Sequence, residues 1–424
     1  MNKKKFEYIC SAFACFSKFS LKDFNSNEKN VENAINLLKN IERQNKNHKF
    51  SLLFNSLTEQ KLSDIYQKLK PGISNLYCDS GGLQTITRGL NVTDEDKINV
   101  YLNQAKYGNY CFAFDYIPVS YSGDYSRILD FNSRWFDTSK FKEYAIQTGK
   151  NVKKQIEVFK NQKTKCKIIL VLQGNCIETY IHWTELVLSQ IKEEDYEYIG
   201  GVALGTVAFG NGILQEIERA FVYSQLPIKN IDKQLHLLGV GSVQRLLPIL
   251  IFLRNGLYEY DTFISYDSTT HSSCAVWGRY FGKNGWLRFP KILDYKKCQE
   301  IYNDIQKKNL IQRISLEDFH FCLTSNQNEI LKTNIQIATH VQCQMSFIVG
   351  SILNFINLVE KSFDSKDFML KRINNKNLIG PLSFLEEVKN LSDWNHWKNN
   401  IGVYLDSKQL PKHNVFNTLD NFLE

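Results

Sequence analysis

Apolar segments of strand length recur along this chain, each ending in a polar side chain or a glycine, and that recurrence restricts the fold more than any other feature. The segments are Leu76 to Asp79, Cys111 to Asp115, Ile168 to Gly174, Ile199 to Gly205, Leu235 to Gly241 and Phe263 to Asp267. Between them lie longer stretches, such as Gly149 to Lys160, Ile177 to Ile191 and Ile213 to Leu226, whose apolar spacing suits helices. Strand, helix and strand in series predict a parallel sheet covered on both faces. With Phe50 to Phe54 as an earlier strand there are about seven candidates, close to the eight of a (β/α)8 TIM barrel, and the eighth has no assigned place. Such barrels keep their chemistry where the strands end. An apolar run delivers Asp79 directly into the Gly81-Gly82 turn, although an Asp before two glycines is also how a capped turn reads.

A chain of 424 residues can bury a substantial core, and the regular alternation from about residue 50 to 290 argues against a domain boundary there. We therefore expect a catalytic barrel over residues 1–290, closed by elements up to about residue 360, and a helical C-terminal extension over 291–424. Helices are expected in that extension at Tyr295 to Lys308 and Leu385 to Trp397. The net charge of +8 favours a polyanionic partner only weakly, and Lys3-Lys4-Lys5 is its one concentrated block. Ten cysteines without a disulfide-framework spacing read as free thiols in a reducing cytoplasm. Lys3 to Phe16 has a basic start, but Glu7 and Lys18 argue for an N-terminal strand or loop over a signal peptide. No apolar segment reaches bilayer-spanning length on this reading, and Phe347 to Val359, with Asn354 and Asn357, is expected to be a buried helix.

Taken in order, Asp79-Ser80-Gly81-Gly82-Leu83-Gln84, Phe114-Asp115, Leu172-Gln173-Gly174, Gly201-Val202-Ala203-Leu204-Gly205, Leu238-Gly239-Val240-Gly241 and Tyr266-Asp267 resemble the signature series of the guanine transglycosylases. Those enzymes are (β/α) barrels that exchange guanine in a nucleic acid for a 7-deazaguanine base. The resemblance covers roughly residues 50 to 345, and the order and spacing of the motifs make it specific. It implies Asp267 as nucleophile, Asp79 as general acid and base, and Asp115, Gln173 and Gly205 as the base pocket, with Ser80, Gly81, Gly82, Leu83 and Leu238 around it.

The chemistry of the residues agrees with that assignment. Breaking an N-glycosidic bond builds positive charge on the sugar, which a carboxylate beside C1′ can stabilise or trap as an ester. The leaving base needs a proton and the incoming base must lose one, so a second carboxylate is required. Guanine presents N1–H and an N2 amine to acceptors and O6 to donors; Asp115 supplies an acceptor, Gln173 an amide with both, and the Gly205 backbone a donor. Each residue has a plainer reading: Asp267 as an N-cap for the Ser268-Thr269-Thr270 turn, Asp115 as a strand-end cap, Gln173 as a loop-ordering amide, Gly201 and Gly205 as turn glycines.

This chain also departs from the family pattern. Leu83 stands where the tRNA enzymes usually carry a stacking aromatic, so Leu83 and Leu238 would hold the base between aliphatic walls. Ser268-Thr269-Thr270-His271 replaces the usual Pro-Thr-Arg, with Arg279 further on, and Thr206 replaces a second glycine after Gly205. The family's zinc ligands, Cys-x-Cys-x-x-Cys and a later His, are met here by His320, Cys322 and Ser325, then His340; Cys343 could complete a His2Cys2 set, and the alternative is a buried His with core thiols. Tyr116 to Thr148 is long for a barrel loop and mixes aromatics with Arg127, Arg134 and Lys140, a pattern able to grip nucleic acid, although a surface helix at Phe141 to Thr148 explains part of it.

Because of these departures the resemblance is strongest to the DNA guanine transglycosylases of the DpdA type. The expected partners are DNA, a free 7-deazaguanine base such as 7-cyano-7-deazaguanine, and a helper protein that opens the duplex. No cofactor is required for the chemistry, and a structural zinc is the one metal considered. A divergent tRNA enzyme is the alternative; a non-catalytic nucleic-acid-binding subunit is the alternative of another class, against which the retention of both Asp79 and Asp267 argues.

Overall fold

Eight parallel strands pair in chain order and close into a barrel, with helices alternating outside them, which is the (β/α)8 architecture expected. A computed structural model describes residues 6–11, 36, 39, 50–58, 63–118, 138–174, 176–205, 213–228, 231–259, 261–271, 279–282, 285–288, 294–311, 313–324, 334–365, 368 and 379–404. The strands are β1 (Phe6–Ser11), β2 (Ser51–Asn55), β3 (Leu76–Asp79), β4 (Tyr110–Phe112), β5 (Lys167–Leu172), β6 (Ile199–Leu204), β7 (Gln234–Leu237) and β8 (Phe263–Ser268). Around them run α1 (Ser63–Leu69), α2 (Gly82–Thr87), α3 (Asp94–Tyr107), α4 (Thr138–Gln162), α5 (Ile177–Leu188), α6 (Ile213–Tyr223) and α7 (Val243–Arg254).

The strand without an assigned place in the sequence is β1, inside the Lys3 to Phe16 stretch. It lies between β8 and β2, with Tyr8 opposite Tyr266 and Ile9 opposite Ser51. Side chains alternate across a strand, so Tyr8 and Cys10 join the layer under the helices while Glu7, Ile9 and Ser11 point to the barrel axis. The same parity in the other strands forms an inner apolar girdle of Ile9, Leu53, Tyr77, Phe112, Ile169, Val171 and Ala203.

Gly201 is not a turn residue. It lies inside β6 where the pairing with β5 slips: Ile168 faces Ile199 and the next residue, Ile169, faces Gly201, so Gly200 is the extra residue of a bulge. Gly201 has φ +153°, and a Cβ there would sit 2.1 Å from the Gln234 carbonyl oxygen.

After β8 comes an antiparallel hairpin, β9 (Arg279–Gly282) and β10 (Gly285–Arg288), that no sequence signal announced. It is followed by α8 (Tyr295–Lys307), α9 (Leu316–Thr324), α10 (Asn334–Asp364), α11 (Ile379–Phe384) and α12 (Leu391–Tyr404). The helix expected from Leu385 to Trp397 is broken: Leu385–Glu387 form one 3-10 turn before α12 begins. The stretch Phe141 to Thr148 belongs to α4 and is a surface helix in form, with Phe141, Ala145 and Thr148 buried on one face and Lys142 and Glu143 exposed on the other.

The expected absence of any span-length segment needs correction. Gln342–Asp364 is 23 residues of mean hydropathy 1.3, enough by length and composition to cross a bilayer, but 83% of its most apolar window is buried within the protein. It packs on α7, α9 and β9 as a core helix. Asn354 explains how polar residues survive there: its Nδ2 donates to the Phe281 carbonyl at 2.9 Å and to Asp304 Oδ2 at 2.8 Å.

Gly201→Ala should lower the stability of the barrel by about 1–3 kcal/mol, because the added methyl meets backbone with nowhere to move. A urea titration checks this: the midpoint should fall with an unchanged slope, and an unchanged midpoint would show that the bulge relaxes freely.

Candidate active site

Inward parity and strand ends bring the expected carboxylates to one mouth of the barrel. Asp267, near the end of β8 and 9% exposed, accepts three hydrogen bonds: from Ser11 Oγ at 2.7 Å, from the Gly239 amide at 2.8 Å and from His236 Nε2 at 3.2 Å. Gly239 makes its bond from φ +67°, which favours glycine, and nothing crowds its missing side chain. Burial alone would raise the Asp267 pKa; the His236 contact, the Gly239 amide and Ser11 outweigh it and hold the carboxyl below its ordinary value. The N-cap reading of Asp267 does not describe this site. The Ser268–Thr270 turn is tied by Ser268 itself, whose Oγ bonds Thr270 Oγ1 at 2.8 Å and accepts the Thr270 amide at 2.9 Å.

Asp79 closes β3 and accepts a 2.8 Å bond from Asn55 Nδ2. The Asn55 amide is itself fixed, since its Oδ1 accepts the backbone N–H groups of Leu57 at 3.0 Å and Thr58 at 2.9 Å. Burial pushes the Asp79 carboxyl up to about 6; the Gly81 amide opposes this, the Asp267 charge adds to it, and Asn55 and the Ser80 amide oppose it again.

Asp115 lies beyond the short strand β4, buried, with Oδ2 accepting Gln173 Nε2 at 2.7 Å. Burial again dominates and pushes it up to about 7, against the Gln173 bond and with a smaller contribution from the Asp79 charge. Two glycines make room for this pair. A Cβ on Gly82 would meet Asp115 Oδ1 at 2.6 Å, and one on Gly205 would meet Gln173 Oε1 at 2.2 Å. Gly205 therefore acts by close approach and not as the expected donor: its N–H is already given to the Leu172 carbonyl at 2.8 Å, and its carbonyl accepts Tyr180 OH at 2.9 Å.

The remaining expected residues divide clearly. Ser80 is buried, its Oγ accepting the Gly82 amide at 3.4 Å; Gly81 takes φ +86° to start α2, and Leu83 on α2 is 43% exposed. Leu238 follows β7 and packs on the inner girdle. His271 is fully buried among Tyr8, Phe281, Trp286 and Phe355, its ring 4.4 Å from that of Phe355. Burial pushes its pKa down to about 3, so His271 is a packed neutral ring and not a charged contact, while Thr269 and Thr270 before it are exposed. Arg279 begins β9 and is exposed; Arg127 and Arg134 lie outside the described residues, as do Thr206 and Ser325. On the Asp115 side a cavity of about 430 Å³ is walled by Leu90, Tyr116, Lys140 and Tyr144, among others.

The zinc set that the resemblance implies is not assembled by the described residues. Cys322 on α9 and Cys343 on α10 do meet: a hydrogen bond to Cys322, with burial, raises the Cys343 thiol strongly. His320 meets Tyr295 edge-on at 5.3 Å, and the His340 side chain lies outside what is described. Among the described residues no three His, Cys, Asp or Glu side chains are placed to hold a metal.

His236, Ser11 and Asn55 were not in the set expected from sequence. Their signal was parity: each is polar at an inward position of a strand whose outward residues are apolar, two residues from another inward residue. Compared with known proteins, the chain matches no family model and no curated protein.

Opposite pKa directions on neighbouring carboxylates are what acid–base chemistry uses: one group stays ionised while another holds a proton near neutrality. They also have a stability consequence. Because Asp115 titrates near 7 when folded and near 3.8 when unfolded, the folded state binds more protons between those values, so stability falls as pH rises from about 4 to 7, by up to about 4 kcal/mol. Asp115→Asn keeps an acceptor for Gln173 without the charge. Its melting temperature should exceed that of the unsubstituted protein at pH 8 and approach it at pH 4; an equal difference at both pH values would refute the raised pKa.

Proposed function

We propose that the protein is a DNA guanine transglycosylase that exchanges guanine for a 7-deazaguanine base through a covalent aspartyl–sugar intermediate. The observation carrying this reading is the mouth that combines an ionised Asp267, a protonatable Asp79 and the Asp115–Gln173 pair. An Asp267 oxygen attacks C1′ as the C1′–N9 bond breaks, and the Asp79 proton passes to the departing guanine. The incoming base gives its N9 proton to Asp79, its nitrogen attacks C1′, and the Asp267 ester bond breaks, regenerating both carboxyl groups. One glycosidic bond replaces another, so no nucleotide cofactor is consumed.

Asp115 and Gln173 suit the reading of guanine's N1–H, N2 and O6, because the bond between them is one that a base edge can displace. The pKa of about 7 means that Asp115 gains acceptor strength as N–H donors arrive and stabilise its charge. Leu83 in place of a stacking aromatic and Ser268-Thr269-Thr270-His271 in place of the family's usual run turn the reading towards DNA. A guanine stacked in a duplex must be flipped into the mouth at a cost of a few kcal/mol, which backbone contacts have to recover.

Purified protein incubated with a guanine-containing DNA strand, without an incoming base, should yield a complex that survives denaturing electrophoresis. Asp267→Asn should abolish the complex, and Asp79→Asn should reduce exchange of labelled guanine by at least about 100-fold. Exchange should weaken as salt rises, because phosphate contacts release counterions. Full exchange by Asp267→Asn would remove the nucleophile assignment. Exchange at a tRNA guanine with none in single- or double-stranded DNA would make this a tRNA enzyme, and tight binding with no exchange in either would leave a non-catalytic subunit.

A further inference from the structure

Beneath Asp267 the barrel axis carries a continuous run of hydrogen bonds for which the exchange chemistry gives no account. At its foot the buried Glu7 accepts from Ser51 Oγ at 2.5 Å, Asn75 Nδ2 at 2.9 Å and Tyr77 OH at 2.7 Å. The Tyr77 oxygen accepts Gln234 Nε2 at 2.8 Å, and the same nitrogen donates to Ser265 Oγ at 2.8 Å. Ser265 Oγ lies 2.9 Å from His236 Nδ1, and His236 Nε2 lies 3.2 Å from Asp267 Oδ1. Five strands contribute to this run, each through side chains at inward positions, and Asn75 joins it from just before β3.

The order of donors along the run follows from its foot. Burial pushes the Tyr77 phenol up, so it keeps its proton and gives it to Glu7. The Tyr77 oxygen can then only accept, which sets the nitrogen end of the Gln234 amide towards it. Ser265 Oγ accepts from that same nitrogen and keeps a hydrogen to offer His236 Nδ1, while at the other end of the ring the Asp267 carboxylate can only accept. With Nδ1 accepting, the ring hydrogen sits on Nε2 and points at Asp267.

We propose that His236 is a positioning residue for Asp267, held in its Nε2–H tautomer by the Ser265–Gln234–Tyr77–Glu7 run so that it orients the carboxylate and favours its charged form. The inference rests on Asp267 being the nucleophile of the proposed exchange. Asp267 is faced by His236 and the Gly239 amide from the β7 side, by Ser11 from β1 and by the charge of Asp79 from β3. His236 is faced by Ser265 and Asp267 from β8 and by the rings of Phe112 at 4.7 Å and Tyr77 at 6.5 Å. A histidine that merely filled the core would need neither a fixed tautomer nor a carboxylate partner.

The test uses the full chain, nitrogen-15-labelled at histidine, with His236 assigned by the signal lost in His236→Gln. His236 should show the Nε2–H signature, and Ser265→Ala should convert it to a tautomer mixture. The titration midpoint of Asp267, read by carboxyl carbon-13 signals, should rise in His236→Leu. With labelled guanine and a guanine-containing oligonucleotide, His236→Leu should lower kcat by at least about 100-fold at unchanged KM, while His236→Gln, whose amide can still donate, should recover most of it. An Nδ1–H signature in the unsubstituted protein, or kcat retained in His236→Leu, would overturn the proposal. Should His236→Leu fail to fold, Ser265→Ala carries the same test through tautomer and midpoint. Those two readouts need no substrate, so loss of the exchange reading, shown by an active Asp267→Asn, is distinguishable from loss of this one.

Discussion

Everything at the mouth depends on one pairing, the insertion of Phe6–Ser11 between β8 and β2. Without it β8 and β2 would be open edges with unpaired backbone groups, and the inner girdle would face solvent. The pairing also serves the site. Register with β8 sets Ile9 opposite Asp267, and two residues on, at the same inward parity, Ser11 reaches the Asp267 carboxylate. The same register carries Glu7 to the foot of the barrel, where it meets Tyr77.

Three carboxylates of one residue type then acquire different characters from their donors. Asp267 receives three hydrogen bonds and stays ionised despite burial. Asp115 receives one from a side chain, and burial prevails. Asp79 stands between these cases, because Asn55 and two turn amides partly offset burial while the Asp267 charge works against them. The strength of the donors and the charge of the nearest neighbour, more than depth, decide which of these groups holds a proton.

Much of this was legible in the sequence because strand ends and parity are local. The runs ending at Asp79, Gln173 and Asp267 announce both strand and site residue, since an apolar run that stops at a polar side chain marks where a barrel strand leaves the core. β1 was less legible: with Glu7 inside six residues, the run reads as interrupted, although Glu7 is the inward residue of a strand whose partners lie far along the chain. His236 was hidden for a related reason: taken as Leu235-His236-Leu237-Leu238 the run reads as one apolar segment, and only with Gln234 included does the alternation that turns His236 inward appear. The reversal of Gly205 from donor to spacer, and the failure of His320, Cys322 and Cys343 to assemble as a metal-holding group, depend on approach between segments that spacing along the chain does not encode.

The barrel interior gives the polar run its physical sense. Barrels of this kind commonly fill the axis with branched aliphatic side chains, whereas here Glu7, Ser51, Tyr77, Gln234 and Ser265 occupy the lower part and the carboxylates the upper, separated by Ile9, Leu53, Phe112, Ile169, Val171 and Ala203. Burying so many polar groups is unfavourable unless they satisfy one another; most of this run does so, with Gln234 Oε1 left buried without a partner, and such connected networks fix a single arrangement. The apolar girdle lowers the local dielectric on both sides. That strengthens each donor aimed at Asp267 and, by the same physics, raises the protonated fraction of Asp79 and Asp115. His236 is where the polar run passes through the girdle, between Phe112 and Ser265, so the foot of the barrel and its mouth are joined through one imidazole.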